Sequence, residues 1–509
     1  MRGALKRHFG FEEFREHQEE VVGNIITGHD QLVVLPTGGG KSLCYQLPAL
    51  LMEGCALVIS PLISLMRDQI LALQERGIAA ATINSSVSQA YRNSVELAVK
   101  RGELKLLYIS PETLMSATGM QLVKQIDVSL IAIDEAHCIS QWGHDFRPEY
   151  AQLGVLKEQF PDRPIIALTA TADPATRRDI ISQLHLREPI VTIASFDRPN
   201  IYLEVRRGLK KQEKLREIIS FIESREVGTS GIIYCTKRDD TELLTKYLNS
   251  KGLRALCYHA SMGNNERDMV HRLFLANQVD IVVATVAFGM GIDKPDVRWV
   301  IHYNMPKSIE NYYQEIGRAG RDGERADALL FYSYADIFVL QKLIQNTSMH
   351  SLSRSKMEYM KRYCEGNICR RRVLLGYFGA EVDHDCGKCD VCLMPKGNLI
   401  DGTELAQKAM SAVMRTQEQI GVDMLIDILR GSQQRVLLSY GYHLIPTYGV
   451  GRDLSALAWR EYIYQMVMLG VMNIDYSDRG RLCVTPLGRD VLYGKQTLQL
   501  KPFRPLPRK

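Results

Sequence analysis

The sequence predicts an α/β chain: two parallel-sheet domains, then a metal-binding helical subdomain, then a helical domain that ends in a hairpin. Three observations carry this. Ten short runs rich in Val, Ile and Leu alternate with longer helical patterns, in two groups of five. A glycine-rich turn, LPTGGGKS (35–42), follows the first run. Beyond about residue 345 the rhythm breaks into a charged helix and a cysteine cluster. Strands covered on both faces need apolar residues throughout, and intervening helices supply the crossovers that parallel pairing requires.

The first group reads QLVVLP (31–36), ALVISP (56–61), LKLLYISP (104–111), SLIAIDEA (129–136) and PIIALTATA (164–172). The second reads SGIIYC (230–235), RALCYH (254–259), VDIVVATVAF (279–288), VRWVIHYN (297–304) and ADALLFYS (326–333). SFDRPNIYLEV (195–205) reads as the join between them. Domain boundaries are expected at 1–197, 198–345, 346–400 and 401–495, with a basic tail over 496–509.

At 509 residues the chain is longer than one core can serve. Its net charge is +5, and residues 495–509 hold five basic and no acidic residues, so the remainder is neutral. A nucleic-acid site must therefore be a local patch. The N-terminus, MRGALKRHFGFEEF, has no apolar run of the secretory kind. The most apolar window, 47–66, is broken by Glu53, Gly54 and Pro61, too often to span a bilayer. Eleven cysteines, four of them clustered late, suit metal binding in a reducing compartment better than disulfides.

LPTGGGKS lies between an apolar strand and a helical pattern, the setting a phosphate loop needs. Gly38, Gly39 and Gly40 would let backbone N–H groups approach phosphates, Lys41 would reach the β- and γ-phosphates, and Ser42 would hold Mg²⁺. Leu35 stands where the strict pattern has glycine. SLIAIDEAH brings Asp134 and Glu135 to a strand end: the aspartate suits Mg²⁺, the glutamate an attacking water. In YYQEIGRAGRDG (312–323), Arg318 and Arg321 would project from one side of a helix toward phosphoryl charge. Each pattern has a plainer reading: a glycine-rich turn, a helix-capping acid pair, a solvated basic helix end.

Taken in order, these residues resemble the motifs of superfamily-2 helicases, and more narrowly of the RecQ family of DNA helicases of bacterial type. HFGFEEFREHQ (8–18) resembles the adenine-recognition motif; by that match Phe11 stacks on the base while Arg15 and Gln18 bind it. LPTGGGKS, with Thr37 among its nucleotide ligands, resembles motif I, SPLISLMRDQ (60–69) motif Ia, DEAH motif II and ALTATA (167–172) motif III. GIIYC (231–235) resembles motif IV and ATVAFGMGIDKPDVR (284–298) motif V. QEIGRAGRDG resembles motif VI, which sets Arg318 and Arg321 against the γ-phosphate. QWGHDFRPEY (141–150) resembles the family's aromatic-rich loop, which senses single-stranded DNA. The resemblance makes Trp142, His144, Phe146 and Arg147 its DNA contacts. Aromatic faces stack on bases for about 1–3 kcal/mol each. The plainer alternative is that Trp142 and Phe146 pack the crevice between the domains.

Cys369, Cys386, Cys389 and Cys392 read C-x16-C-x2-C-x2-C, a spacing that lets four thiolates close a tetrahedral Zn²⁺ site. It resembles the family's zinc-binding subdomain. An Fe–S cluster would also take four cysteines, and Cys364 is near enough to substitute. Cys44, Cys55, Cys138, Cys235, Cys257 and Cys483 read as core or near-core thiols. Arg370, Arg371 and Arg372 would either touch DNA phosphates or form a solvated helix face. Residues 403–495 pattern as helices followed by LGVMNIDYSDRGRLCVTPLG (469–488), a hairpin turning at SDRG. That layout resembles a winged-helix domain, with Tyr476 and Arg479 the only candidates on the wing tip for touching DNA. YGVGRDLSALAW (448–459) would add duplex contacts by the same resemblance. Many relatives carry a further small helical domain at the C-terminus; with the sequence ending at KPFRPLPRK, the expectation is either that this protein naturally lacks it or that the sequence stops short of it.

The resemblance implies two RecA-like domains closing on ATP and Mg²⁺, a zinc-binding helical subdomain and a winged-helix domain. It implies an ATP-dependent 3′→5′ DNA helicase that translocates on single-stranded DNA and unwinds duplex or branched DNA in recombination, repair and the SOS response. Expected cofactors are ATP, Mg²⁺ and Zn²⁺. Expected partners are single-stranded and duplex DNA, with a single-stranded-DNA-binding protein as a further candidate and no membrane. A monomer in the bacterial cytoplasm, associated with the nucleoid, is expected. Two other readings stand: an RNA helicase, and a zinc/winged-helix DNA-binding protein that nucleotide merely switches.

Overall fold

The computed structural model describes residues 1–140, 146–289, 294–345, 350–366, 368–380, 382, 384–393, 399–475, 481–500 and 502–503. The chain forms two compact units, one of residues 1–364 and 368–391, the other of 365–367 and 392–509.

The first unit holds two parallel sheets. One has seven strands: β1 (Gln31–Val34), β2 (Cys55–Ile59), β3 (Ala80–Ile83), β4 (Leu106–Ile109), β5 (Val128–Ile133), β6 (Ile165–Thr169) and β7 (Ile190–Ile193). They lie in the order β3-β4-β2-β5-β6-β1-β7, every pair parallel. The other has six: β8 (Ile201–Arg207), β9 (Ser230–Tyr234), β10 (Ala255–Tyr258), β11 (Ile281–Ala284), β12 (Val297–His302) and β13 (Ala326–Tyr332). Their order is β10-β11-β9-β12-β13-β8, again all parallel. β6 lies between β5 and β1, so the loops after these three strands open side by side at the carboxyl edge, where ligands bind in such sheets.

All ten apolar runs are strands. β3, β7 and β8 fall outside those runs. β3 is AATI, too small and polar to stand out, and β7 has partly or fully exposed positions on both sides of Thr192. The second half of SFDRPNIYLEV, expected as a join, is β8, which alternates buried and half-exposed positions as an edge strand does. That edge is covered by side chains: Arg371 Nη2 donates to the Ile201 carbonyl at 2.7 Å, and the Val205 N–H donates to Asp390 Oδ2 at 3.0 Å.

The same hydrogen bonds correct the reading of the triple arginine. Arg370 is 1% exposed, with Nε 2.9 Å from Asp390 Oδ1, and Arg371 is buried against Asp197 at 2.6 Å. Only Arg372 faces solvent, so the run is not a solvated basic face. An arginine on the same helix face as apolar side chains stays charged indoors only with a carboxylate beside it, and two aspartates meet that need here.

In the second unit, helices Thr403–Arg415, Val422–Arg430 and Ala456–Met468 surround a core containing Trp459. Met472–Asp475 pairs antiparallel with Arg481–Val484, the expected hairpin; Tyr476 and Arg479 lie outside the described residues. Within YGVGRDLSALAW, Trp459 Nε1 donates to the Gly451 carbonyl at 2.7 Å. A Cβ on Gly431 or Gly449 would lie 2.6 or 2.7 Å from Arg452 Nε. Much of that segment is therefore packing. No helix among the described residues is long and apolar enough to cross a membrane.

Candidate functional site

β1 runs into Leu35, which is 2% exposed: the position of the missing glycine is a core position. Gly38 and Gly40 then take φ of 83° and 75°, where a side chain is strained, before helix Leu43–Leu51 begins. A Cβ on Gly39 would lie 2.9 Å from the Pro36 carbonyl oxygen. Lys41 Nζ donates to the Leu35 carbonyl at 3.3 Å. Gln18 Nε2 donates to the carbonyls of Gly39 and Gly40 at 3.3 and 3.1 Å, and the Arg15 guanidinium donates to that of Gly38. Arg15 and Gln18 thus grip the glycine-rich turn. Phe11 stands 51% exposed nearby in sequence.

β5 delivers the acid pair. Asp134 is buried and accepts from the Glu135 N–H at 2.9 Å, while Glu135 has a left-handed φ of 48°. Strain of this kind in a non-glycine residue gathers at working sites. Burial, then the Glu135 charge, pushes the Asp134 carboxyl up to about 7. Burial acts the same way on Glu135, but the neighbouring His137 outweighs it and brings Glu135 down to about 2. His137, despite burial, is raised to about 10 by Cys138 and Glu135. Its Nδ1 lies 3.3 Å from Glu135 Oε2 and 3.0 Å from Thr169 Oγ1, tying the acids to the end of β6. Tyr150 OH donates to the Asp134 carbonyl at 3.1 Å.

The opposing face comes from the second sheet. Helix Ile309–Ile316, whose N–H at Asn311 is capped by Ser308 Oγ at 3.2 Å, ends at Gly317 and presents Arg318 and Arg321. A Cβ on Gly38 would meet Arg321 Cγ at 3.5 Å, and one on Gly317 would meet Thr37 Cβ at 3.4 Å. Gln314 Nε2 donates to Thr171 Oγ1 at 3.1 Å. Arg318 is 7% exposed, and its charge helps hold Glu135 down. Thr37, Gly38, Lys41, Asp134, Glu135, Arg318 and Arg321 therefore converge on one crevice. Sequence reasoning did not single out His137, Tyr150, Thr171 or Gln314; their only signal is membership of the quoted motifs and loop.

Trp142 and His144 lie outside the described residues. Phe146 is half-buried, and Arg147 is anchored: its N–H donates to the Cys138 carbonyl at 3.0 Å and Nη1 to the Pro61 carbonyl at 3.1 Å. Pro61 belongs to SPLISLMRDQ, so the segment 147–150 is tied through Arg147 to that stretch and through Tyr150 to Asp134.

The sulfurs of Cys369, Cys386, Cys389 and Cys392 lie within 4.8 Å of one another, and Cys364 is not among them. Backbone N–H groups of Cys386, Lys388 and Arg370 donate to the sulfurs of Cys369, Cys386 and Cys389 at 3.3, 3.4 and 3.4 Å. Burial opposes the Cys386 thiolate, yet the Lys388 N–H, the Cys369 side chain and Cys389 bring the thiol down to about 7. Four convergent sulfurs with N–H support fit a structural Zn²⁺. For the nucleotide, the positive-φ glycines leave room for phosphate, and the buried carboxyl of Asp134, whose charge is opposed by burial and by Glu135, is an oxygen donor for which a cation would supply the missing positive charge.

Residues 15–180 match the DEAD/DEAH box helicase family and 210–323 the helicase conserved C-terminal domain. The fold is shared with the structure of S. cerevisiae Dbp5 bound to RNA and ADP BeF3, at a TM-score of 0.54 and 18% identity over 73% of this chain and 97% of that one. The class is thus a two-lobed helicase motor. Residues 334–393 match the RecQ zinc-binding family and 396–508 the RQC domain. The chain is 45% identical over 501 residues to the ATP-dependent DNA helicase RecQ of Haemophilus influenzae, covering 98% of itself and 80% of that protein. It is 39% identical over 490 residues to a protein of Acanthamoeba polyphaga mimivirus named as a putative ATP-dependent RNA helicase, covering 93% and 88%. The chain belongs to the RecQ family of ATP-dependent DNA helicases.

Proposed function

We infer that the chain hydrolyses ATP to move along single-stranded DNA and part duplex or branched DNA in recombination and repair, with the 3′→5′ polarity of its family. The observation that carries this is the crevice in which Arg321 rests over Gly38 while Arg318 acts on Glu135, so that both lobes furnish one phosphate site.

Lys41 and the N–H groups of residues 38–42 hold the phosphates. Phe11, Arg15 and Gln18 take the adenine, and Gln18 gives up the loop carbonyls to do so. Ser42 and Asp134 would hold Mg²⁺, which when bound would supply positive charge against the phosphates. Glu135, kept charged by His137, accepts a hydrogen bond from the attacking water. Arg318 and Arg321 meet the charge that spreads over the γ-phosphoryl oxygens, a role worth about 10³–10⁵ in rate. Trp142, His144, Phe146 and Arg147 read the strand; Tyr150 and Arg147 carry its presence to Asp134 and Pro61. The line His137–Thr169 and Thr171–Gln314 links the acids to the arginine helix. Tyr476 and Arg479 contact duplex at the wing. The four cysteines would hold Zn²⁺, which when bound would fasten them to one another.

The domain limits 1–197, 198–345, 346–400 and 401–495, with the tail 496–509, suit this division of labour. A monomer in the cytoplasm, on the nucleoid, that meets a single-stranded-DNA-binding protein fits the same account. The mimivirus relative's name favours weighing RNA as the strand. Steady-state ATPase with single-stranded DNA and with RNA of equal length decides: stimulation by DNA alone supports the reading, and stimulation by RNA alone replaces it.

A further inference from the structure

A cavity of about 590 Å³ opens in the first unit between helix Pro174–Gln183, the strap 193–199 and the segment 371–388. None of the phosphate-loop, acid-pair or motif VI arginine residues lines it. Its charged lining is unbalanced. Arg371 pairs with Asp197 at 2.6 Å and the exposed Arg372 with Asp385 at 3.4 Å. Arg177 and Lys388 have no carboxylate within ion-pair reach among the described residues; Arg177 Nη2 donates only to the Phe378 carbonyl, at 2.8 Å. The Nε atoms of Arg177 and of Arg371, itself 8% exposed, are buried without an acceptor. A buried guanidinium N–H left unmet forfeits the hydrogen bond it would make to water. Burial also lowers the proton affinity of Arg177, the direction expected of a cation waiting for an anion.

We propose that this cavity binds a phosphate-type oxyanion, held by Arg177, Arg371 and Lys388. A tetrahedral oxyanion offers several acceptor oxygens to guanidinium donors and cancels the two unpaired charges, which a neutral ligand would not. Two sources share that chemistry: the backbone of a DNA strand and a free phosphate-bearing ligand. The DNA source rests on the helicase reading; the oxyanion site does not. Occupancy would be felt at the motor. The Phe378 ring stacks on Phe196, with centroids 4.5 Å apart, and meets Tyr313 of helix Ile309–Ile316 at 5.0 Å. The rival explanation is that these cations balance the thiolate charge of the cysteine cluster, since Cys386 also lines the cavity.

The test uses the full-length, zinc-loaded chain with tungstate as the oxyanion probe, read by anomalous scattering from soaked crystals. Fluorescence anisotropy with a twenty-nucleotide oligo(dT) across a salt series runs alongside. The variants are Arg177→Gln and, because its side chain is exposed, Lys388→Gln; zinc content is measured for both. Tungstate is expected within hydrogen-bond reach of Arg177 Nε, and absent or weakened in both variants. If DNA is the source, each variant also binds oligo(dT) several-fold more weakly, with the log–log salt slope shallower by about 0.7 for each phosphate no longer neutralised. An unchanged slope with loss of tungstate assigns the site to a free ligand. Tungstate absent from the cavity while present at the phosphate loop overturns the proposal. So does loss of zinc from both variants with tungstate unmoved, which gives the cations to the cysteine cluster.

Discussion

Glu310 stands on the helix that delivers the two arginines, and its environment predicts a coupled loss of stability and turnover. Its carboxylate is 2% exposed, receives the Lys356 ammonium, and accepts from Tyr377 OH at 2.8 Å. Lys356 is itself 7% exposed. Lys356→Met leaves a buried carboxylate with one neutral donor, and breaking a buried pair from one side costs about 3–5 kcal/mol. Adding Glu310→Gln removes the stranded charge, so the double variant should regain more than half of that loss, a coupling of about 2 kcal/mol or more in a double-mutant cycle. Only Gly317 separates the end of this helix from Arg318. A shift of about 1 Å at a reacting group costs about 10²-fold, so Lys356→Met should lower kcat by that order while KM for ATP moves less than about twofold. Urea unfolding gives the stability arm, and steady-state ATPase at saturating oligo(dT) gives the kinetic arm. A folded, destabilised Lys356→Met enzyme with unchanged kcat would disconnect this network from the arginines.

Arg321→Ala should bind ATP within about threefold of wild type yet hydrolyse it about 10³-fold more slowly; nucleotide titration beside single-turnover hydrolysis separates the two, and failure to bind would give Arg321 a ground-state role. Arg147→Ala releases the Pro61 carbonyl, so basal ATPase should persist while stimulation by single-stranded DNA falls about tenfold or more; equal retention of both would reduce the loop to packing. Cys389→Ser should lose zinc by elemental analysis and melt at a lower temperature, and full zinc content with unchanged melting would remove the cluster as a structural centre.

The parts of this chain legible in its sequence are those with a strong local signature. Continuous apolar runs mark ten strands because strands buried on both faces need such residues at every position. β8 escapes because an edge strand alternates, and IYLEVRR reads as well for a linker as for a strand. The phosphate loop, the acid pair and motif VI are visible because their chemistry constrains adjacent residues. What they do to one another is not. His137 on Thr169, Tyr150 on the Asp134 carbonyl and Gln314 on Thr171 join residues 16 to 143 positions apart, and no periodicity encodes such pairs. The triple arginine shows the limit of composition. A basic run reads as solvated until Asp390 and Asp197 are seen to sit beside it.

On the proposed function, hydrolysis in the crevice between the lobes drives strand separation. Its most direct measurement is the rate at which a forked duplex with a 3′ single-stranded tail comes apart, for wild type and for Lys41→Ala, with ATP and Mg²⁺. Wild type should separate the strands, Lys41→Ala should not, and neither should do much on a duplex bearing only a 5′ tail. Strand separation by Lys41→Ala, or tight duplex binding by wild type with ATP turnover and no separation, would contradict that function.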